Sequence, residues 1–589
     1  MLKPLTGLDS SFLFLETPRQ PMHVGSVLVF EGSIRFDDFR NMMSERLHLV
    51  PRMRERLVMV PLGIGKPYWA EDPDFNIDMH LQHVALPRPG DWKELRGLAA
   101  RLFSVPLDRS RPLWEMTFVE GLDNIPQALP GSVAMISKVH HAAIDGVSGA
   151  DMLGVLLDMT REPRPIPKEK PRRVPPIPNE LEILRYTGRK IAGKPREIIR
   201  VAKEAMGAAK ATTETQKKAG SQAPPNPMSA PVTPFNHLIS GQRIWNTALL
   251  DLDRVKAIKE ARGCTLNDVV LAICAGALRR YLIERGALPP KRLVAMCPVS
   301  TRQKDQHGAM GNMVSAMLVE LSTDVDDPIE RLEALKSRSK TGKAVEKAGA
   351  ARAASDLAEF IPFGLASRMN QLYSRFHVSE LHNPFFNLVI TNVPGPQVDL
   401  FMAGHKLLAT MGMAPVMDGM GLLITVLSYN GVLSISPTSS PAVMPDLDKF
   451  TQYIREAANE LEAVAVPTRD EQPSTNGAVA EEVASFVDHM RTVLHDTPED
   501  KPIGTGRFQL RVTGSDEKQW MVDFAGRSVT EGSQDESDAT LTIRGDHLSQ
   551  ILHGDLDPQI AYVQGKLRVD GDINKALEFG VLLPPEARA

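Results

Sequence analysis

Two adjacent histidines, His140 and His141, are the residues of this sequence best suited to acid–base chemistry. They follow an apolar run at residues 132–139, and Asp145 and Gly146 complete the order His-His-x-x-x-Asp-Gly. An imidazole titrates near neutral pH, so a histidine held rigidly at a strand end is able to accept a proton and return it. Because side chains alternate along a strand, the two histidines should face opposite sides, and only one of them serves as the base.

Other chemistries fit this segment less well. Histidine pairs at strand ends are often structural or bind metals, but adjacent histidines diverge, and neither an HExxH pattern nor a nearby cysteine completes a metal site. Ser148 does not stand in the G-x-S-x-G context of a hydrolase nucleophile. Asp145 has two interpretations: it caps a following helix, predicted over residues 145–159, or it pairs with an arginine and fixes the histidine loop. We therefore expect no metal.

The elements that must position these residues are predicted to be mixed α/β, in two regions at residues 1–160 and 236–466. In the first region, the apolar patterns predict strands at 24–30, 115–119 and 132–139 and helices at 34–49 and 92–103. In the second region, they predict helices at 265–284 and 327–343, strands at 293–299 and 387–392, and a hairpin of 422–428 with 432–435.

Residues 161–235 differ from both regions in composition. They contain 16 lysines and arginines against 7 glutamates, and seven prolines fall within residues 161–178. This pattern predicts a crossover linker that carries a basic, interrupted amphipathic helix. Two interpretations remain: the segment is a solvated strap between the regions, or it is a surface for anionic lipid.

The overall composition bounds the class of protein. The 589 residues are 42% hydrophobic and 24% charged with a net charge of −4, which is typical of globular domains and excludes general disorder. Three cysteines cannot form a disulfide framework, and the aromatic content of 5% does not favour nucleic-acid binding. No apolar run approaches the ~18 residues of a membrane span. We expect a cytoplasmic protein that attaches to lipid surfaces peripherally.

Further motifs accompany the histidines in a fixed order. They are Leu8-Asp9-Ser10-Ser11-Phe12-Leu13, Pro112-Leu113-Trp114, Leu266-Asn267-Asp268-Val269, Pro298-Val299-Ser300-Thr301-Arg302 and Asn392-Val393-Pro394-Gly395-Pro396. Together, over residues 1–466, these motifs resemble the bacterial wax ester synthase/acyl-CoA:diacylglycerol acyltransferases, within the chloramphenicol acetyltransferase-like superfamily. The resemblance implies two lobes with mixed sheets flanked by helices, joined by the crossover linker, with the active site between them.

The same resemblance implies the reaction and its central residues. His141 would be the general base that removes the proton of an acceptor hydroxyl as it attacks a long-chain acyl-CoA thioester, with His140 supporting the site. Asn267 would donate a hydrogen bond to the oxyanion, although a structural role fits it equally well. Asp268, near the start of its helix, is expected to be structural. Acyl-CoA is a substrate in this scheme, and no cofactor is expected.

The remaining motif residues would support the site. By the same resemblance, Asp145 would pair with an arginine, for which Arg302 is the candidate, while Gly146 permits the tight backbone after the histidines. Pro112, Leu113 and Trp114 are expected to pack along the acyl channel, and Trp114 fits a plain core position equally well. The acceptor would be diacylglycerol or a fatty alcohol, and an anionic membrane or lipid-droplet surface would be the larger partner.

The C-terminal residues form a separate acidic domain at 478–589, after a linker at 467–477. A helix at the start of the domain, then strands at 507–512, 518–524 and 539–543, a helix at 547–552 and a strand at 566–569 are predicted there. With Asp557-Pro558 and Gln564-Gly565-Lys566-Leu567, this order resembles the sterol carrier protein type 2 fold, which implies a small α+β lipid-binding domain. The alternative to an enzyme is therefore a lipid carrier whose acyltransferase lobes bind acyl lipids without turnover.

Overall fold

The computed structural model describes residues 2–125, 128–143, 154–169, 174–192, 229–300, 314–346, 363–465, 476–497, 506–513, 517–532, 537–554, 556, 558, 561, 566–571 and 578–583. The chain divides into two compact units. The larger consists of Met1–Gly395 and Asp399–Val466, and the smaller of Pro396–Val398 and Pro467–Ala589.

The described strands of the larger unit are β1 (Lys3–Pro4), β2 (His23–Phe30), β3 (Glu55–Val58), β4 (Tyr68–Glu71), β5 (Leu81–Ala85), β6 (Trp114–Leu122), β7 (Ser132–His140), β8 (Ile244–Trp245), β9 (Ala248–Asp251), β10 (Val294–Ser300), β11 (Val314–Glu320), β12 (Leu388–Pro394), β13 (Phe401–Met402), β14 (His405–Met413), β15 (Leu422–Tyr429) and β16 (Val432–Ser439). Its described helices are α1 (Gly7–Leu15), α2 (Phe36–Arg46), α3 (Trp92–Ser104), α4 (Glu180–Ala192), α5 (Leu252–Ala261), α6 (Leu266–Glu284), α7 (Pro328–Glu346), α8 (Phe363–Arg375) and α9 (Leu447–Ala465).

The first sheet has the strand order β13-β14-β2-β7-β6-β5. The central strand β7 pairs with β2 and β6, and the pairing with β2 sets His140 opposite His23. Strand β14 comes from the second region of the chain, yet it pairs with β2 antiparallel, with Leu407 opposite Phe30. The two regions of the larger unit therefore share a sheet.

The second sheet has the order β11-β10-β12-β15-β16-β8, with β9 also paired to β16. Strand β12 runs parallel to both of its neighbours and ends at Pro394. Helix α6 is buried along most of its length in the core beside this sheet. The sheet and its helices thus form the mixed α/β architecture that the sequence predicts for the second region.

Part of the basic linker packs on the larger unit. A small sheet of β1, β4 and β3 is covered by α4, where Ile183 is buried against Val58 and Tyr68. The Tyr68 hydroxyl lies 3.1 Å from the Thr187 hydroxyl. The linker residues at 170–173 and 193–228 lie outside the described residues.

The helix predicted over residues 145–159 ends earlier than expected. Its described end is helical only at 154–156, and residues 144–153 lie outside the described part. Beyond it, Asp158 exchanges backbone hydrogen bonds with Phe401, and its carboxylate accepts a 2.6 Å hydrogen bond from Arg46. Both side chains of this ion pair are buried. Because the helix ends before Asp158, the Asp158 carboxylate is placed where it neutralises the buried Arg46.

The smaller unit is an α+β domain of its own. Its described elements are α10 (Asn476–Asp496), β17 (Arg507–Thr513), β18 (Lys518–Asp523), β19 (Ser528–Glu531), β20 (Ala539–Arg544), α11 (Gly545–Leu552) and β21 (Leu567–Gly571). The sheet has the order β19-β18-β17-β20-β21, and one face packs against α10 and α11 around Phe508 and Met490. Strand β19 is not among the predicted elements.

No single described helix of either unit is long and apolar enough to cross a bilayer. Helices α5 and α6 meet the length and composition test only as a pair, and they meet at a bend of 104°.

Candidate active site

The backbone around the two histidines is fixed by its neighbours on both sides. Strand β7 ends at His140, and the chain then makes a 3-10 turn over His141–Ala143. The His140 N–H donates to the Leu113 carbonyl at 2.9 Å, and the His141 N–H donates to the Met22 carbonyl at 2.8 Å. The histidines therefore stand on a strand end that is bonded to the segments entering β6 and β2.

The His140 side chain is buried and oriented from both ring nitrogens. Its Nδ1 accepts a 3.1 Å hydrogen bond from the Ala142 N–H, which leaves the ring proton on Nε2. That Nε2 lies 3.5 Å from the Glu16 carboxylate. Arg109 donates from Nε and Nη2 to the same carboxylate oxygen, at 2.8 and 2.5 Å. The His140 ring is therefore held between the histidine turn and the Glu16–Arg109 pair.

Glu16 is a buried carboxylate at the end of α1. Burial raises the pKa of its carboxyl, but the neighbouring His140 and then Arg109 lower that pKa to about 2. The other carboxylate oxygen accepts the Met22 N–H at 3.2 Å. Since the Met22 carbonyl holds the backbone of His141, Glu16 is linked to both histidines.

The His141 ring stacks on Phe12 of α1, with ring centroids 3.7 Å apart and planes at 12°. Burial lowers the pKa of His141 to about 4. The imidazole is therefore neutral at pH 7. Its Nδ1 is buried without a hydrogen-bond partner among the described residues. A proton on this buried Nδ1 would leave Nε2 as the basic nitrogen.

Pro112, Leu113 and Trp114 lie at the start of β6 and are all buried. The Leu113 side chain packs in a cluster with Ala142, directly below the histidine turn. The Trp114 indole donates to the Met53 carbonyl at 2.7 Å and stacks on His80 at 4.5 Å. These contacts show how the segment supports β7, while its place along an acyl channel stays a prediction.

Asn267 lies in the first turn of α6, beside the end of β12. Its side-chain oxygen is 3.5 Å from the Asn392 amide nitrogen, an orientation that leaves the Asn267 NH₂ group as a donor for another partner. Asp268 closes a capping box with Thr265: its carboxylate accepts the Thr265 N–H at 2.9 Å, and the Thr265 hydroxyl accepts the Asp268 N–H. Asp268 thus stabilises the start of the helix that presents Asn267.

The structure assembles the predicted site in two groups. Phe12 and the histidines form one group, and Asn267 with Asn392 forms the other; no hydrogen bond or ion pair between described residues joins them. Asp145, Gly146 and Arg302 lie outside the described residues. In the described part of the chain, no cluster of three or more His, Cys, Asp or Glu residues could hold a metal ion.

Family models match both parts of this architecture. The wax ester synthase/diacylglycerol acyltransferase catalytic domain matches residues 5–270, and the C-terminal domain of the same family matches residues 310–462. The chain belongs to this family. The SCP-2 sterol transfer family matches residues 498–584, in the smaller unit.

Individual relatives agree with this membership. A Mycobacterium tuberculosis H37Rv protein, named provisionally as a diacylglycerol O-acyltransferase, is 34% identical over 480 residues, which cover 80% of this chain and 92% of the relative. A second protein of that strain, Tgs2, named in the same way, is 34% identical over 467 residues, which cover 77% of this chain and 97% of the relative. The solved wax ester synthase/diacylglycerol acyltransferase of Marinobacter aquaeolei VT8 is 29% identical with a TM-score of 0.53, and the match covers 79% of this chain and all of that one. This member of the family is therefore an acyltransferase.

Several residues of the candidate site were not predicted as site residues. Phe12 and Asn392 lie within quoted motifs, but the sequence alone gives neither a partner. Glu16 and Arg109 carried no motif signal at all. The one available sign was an ionisable Glu16 directly after the apolar run Phe12-Leu13-Phe14-Leu15, where a charged residue needs a buried counter-charge.

Proposed function

We propose that this acyltransferase transfers the acyl group of a long-chain acyl-CoA to the hydroxyl of diacylglycerol or a fatty alcohol, forming triacylglycerol or a wax ester. The observation that carries the proposal is His141. This imidazole is neutral, is stacked against Phe12, and is fixed through its backbone. A base that is uncharged at neutral pH needs no prior deprotonation before it takes the acceptor's proton.

The proposed reaction needs no covalent acyl-enzyme. Nε2 of His141 takes the hydroxyl proton while the acceptor oxygen forms a bond to the thioester carbon, and the carbonyl oxygen becomes an oxyanion. When the intermediate collapses, the C–S bond breaks and the imidazolium gives its proton to the departing CoA thiolate. The products are an ester and free CoA, and His141 is neutral again.

The developing oxyanion requires a hydrogen-bond donor, and Asn267 is our candidate. Its NH₂ group is free because its oxygen faces Asn392. Removing one such donor typically costs about 3 kcal/mol of transition-state stabilisation. Asn392 would act by orienting that amide, which makes it a positioning residue.

The first test is CoA release from palmitoyl-CoA with hexadecanol, with diacylglycerol, or with no acceptor. We expect acceptor-dependent release by the wild type and loss of that release in His141→Ala. His495→Ala, which changes an exposed histidine of the smaller unit, is the matched control and should keep full activity. Full activity in a folded His141→Ala variant contradicts the proposed mechanism.

The same assay tests the alternative of a carrier. Binding of acyl-CoA without release on either acceptor would favour a protein that holds acyl lipids without turnover. We further propose that the smaller unit binds an acyl lipid, which its match to the SCP-2 family supports. A cytoplasmic location at an anionic membrane or lipid-droplet surface is proposed from the excess of lysine and arginine in residues 161–235.

A further inference from the structure

The outer side of α8 carries a row of large apolar side chains. Leu365, Met369 and Leu372 of α8 are joined by Phe376, which directly follows the helix and donates its backbone N–H to the Leu372 carbonyl. The four are spaced by four, three and four residues, which places them on one face, and they are 51–67% exposed. We call these four residues the α8 apolar row. The turn Pro61–Gly63 packs its backbone against Gly364 at the start of α8, and Leu62 of that turn is even more exposed. Clustered exposure of this kind usually marks an interaction surface.

The opposite side of α8 is held in place by specific bonds. The Asn370 amide donates to the carbonyls of Phe14 and Leu15 at 3.1 Å each. The Ser374 hydroxyl donates to the Asp418 carboxylate at 3.0 Å. These hydrogen bonds hold the inner face of α8 against the end of α1 and against Asp418. The α8 apolar row lies on the opposite face and is exposed.

The charged residues of helix α8 itself are all positive. Helix α8 contains no Asp or Glu, and Arg368 and Arg375 lie one helical turn beyond Leu365 and Leu372. Both arginines are exposed, and no ion pair within the described part of the chain involves either of them. An apolar row flanked by unpaired arginines matches the boundary of an anionic bilayer, where phosphates lie beside acyl chains.

The helix also connects this surface to the active site. The carbonyls that Asn370 binds belong to the end of α1, and α1 holds Phe12 against His141. We propose that the α8 apolar row docks the protein on an anionic phospholipid surface. The docking itself does not depend on the proposed function. Only its purpose does, which is to bring the active site to a water-insoluble acceptor.

The test measures vesicle binding by the full chain without turnover. Flotation with phosphatidylcholine vesicles, with and without phosphatidylglycerol, is compared for the wild type and for the double variant Met369→Glu/Leu372→Glu. Ile283→Glu, at a half-exposed apolar position on α6, is the matched control. A second pair, Arg368→Glu/Arg375→Glu, is compared with Lys93→Glu/Lys291→Glu, which changes exposed lysines elsewhere.

We expect the wild type to float with the anionic vesicles. The Met369→Glu/Leu372→Glu variant should bind the vesicles about tenfold more weakly. The Arg368→Glu/Arg375→Glu variant should also bind more weakly, and its difference from the wild type should be largest at low salt. Both controls should bind like the wild type. Release of CoA from a water-soluble short-chain acyl-CoA should stay unchanged in the docking variants, which separates a failure of docking from a failure of catalysis. Wild-type binding by the Met369→Glu/Leu372→Glu variant, or no binding by the wild type, overturns the proposal. A wild-type dimer that this variant dissociates overturns it as well, because a second copy would then cover the row.

Discussion

Glu16→Gln is the most informative single change, because it removes one charge and almost no volume from beneath the histidine turn. The environment lowers the pKa of the Glu16 carboxyl from 4.5 to about 2. At 1.36 kcal/mol per unit, the folded protein stabilises the carboxylate by about 3 kcal/mol. Arg109 is one-third exposed and regains some hydration when its partner is neutralised. We therefore expect a loss of about 2 to 3 kcal/mol in the free energy of unfolding of the larger unit at pH 7.

The pH dependence provides the decisive test of that number. A carboxyl whose pKa is depressed in the folded state contributes stability above its unfolded pKa, and this contribution disappears as the pH falls through the folded pKa. The difference between wild type and Glu16→Gln should thus be complete above about pH 5 and shrink by more than half at about pH 3. Denaturant unfolding at several pH values measures it.

Activity gives an independent readout of the same change. Glu16→Gln weakens the contacts of residue 16 with His140 and Met22, which hold the histidine turn. It should therefore lower kcat by about tenfold and leave the KM for acyl-CoA nearly unchanged, because Glu16 positions the base and touches no substrate. Glu45→Gln, at an exposed carboxylate of α2, is the control and should change stability by less than about 0.5 kcal/mol. A Glu16→Gln variant as stable as the wild type at pH 7, or a difference that is constant with pH, refutes this account.

Three further predictions concern the base, the oxyanion donor and the helix that carries it. Because burial lowers the pKa of His141 to about 4, kcat/KM should stay level from pH 8 to about 5.5 and fall only near pH 4; a midpoint near 6.5 contradicts the buried base. Asn392→Ala should lower kcat by about tenfold without changing thermal stability, because the Asn267 amide is then no longer oriented. Wild-type activity in this variant would mean that Asn392 does not orient Asn267. Thr265→Ala should cost about 1 kcal/mol in the free energy of unfolding, and Thr265→Ser should restore most of it, because only the hydroxyl of the capping box matters.

Local patterns predicted the elements whose signals are local. Helix α6 begins one residue after its predicted start because Thr265 is the cap, and β7 ends at His140 because the apolar run stops there. Strand β14 was not predicted, since its residues lie in a long apolar stretch and its partner β2 stands far away in sequence. Pairing between distant segments leaves no trace in a local pattern. Helix α9 was also absent from the prediction, although Phe450, Ile454 and Leu461 recur at helical spacing, so in this case a local signal was present and was missed.

The candidate site likewise has a part that the local sequence predicts and a part that only the folded chain creates. A histidine pair at a strand end is by itself more often structural or a metal ligand, and it was the full order of His140 and His141 before Asp145 and Gly146, with its resemblance to the acyltransferase family, that named the candidate base. The sequence could not show that Phe12 covers the ring, nor that Glu16 and Arg109 fix its neighbour, since each contact joins residues from different elements. The neutral state of His141 is likewise a result of burial, which only the folded chain creates.

The sheet shared by the two regions has a consequence for synthesis of the chain on the ribosome. Phe30 of β2 finds its partner Leu407 only after the intervening chain has been made, which takes roughly 20 to 75 s at the usual 5–20 residues per second. During that interval β2 is an unprotected edge with a Val27-Leu28-Val29-Phe30 sequence, the kind of segment that recruits other chains. A nascent chain that stalls before residue 405 should therefore depend on chaperones and aggregate without them.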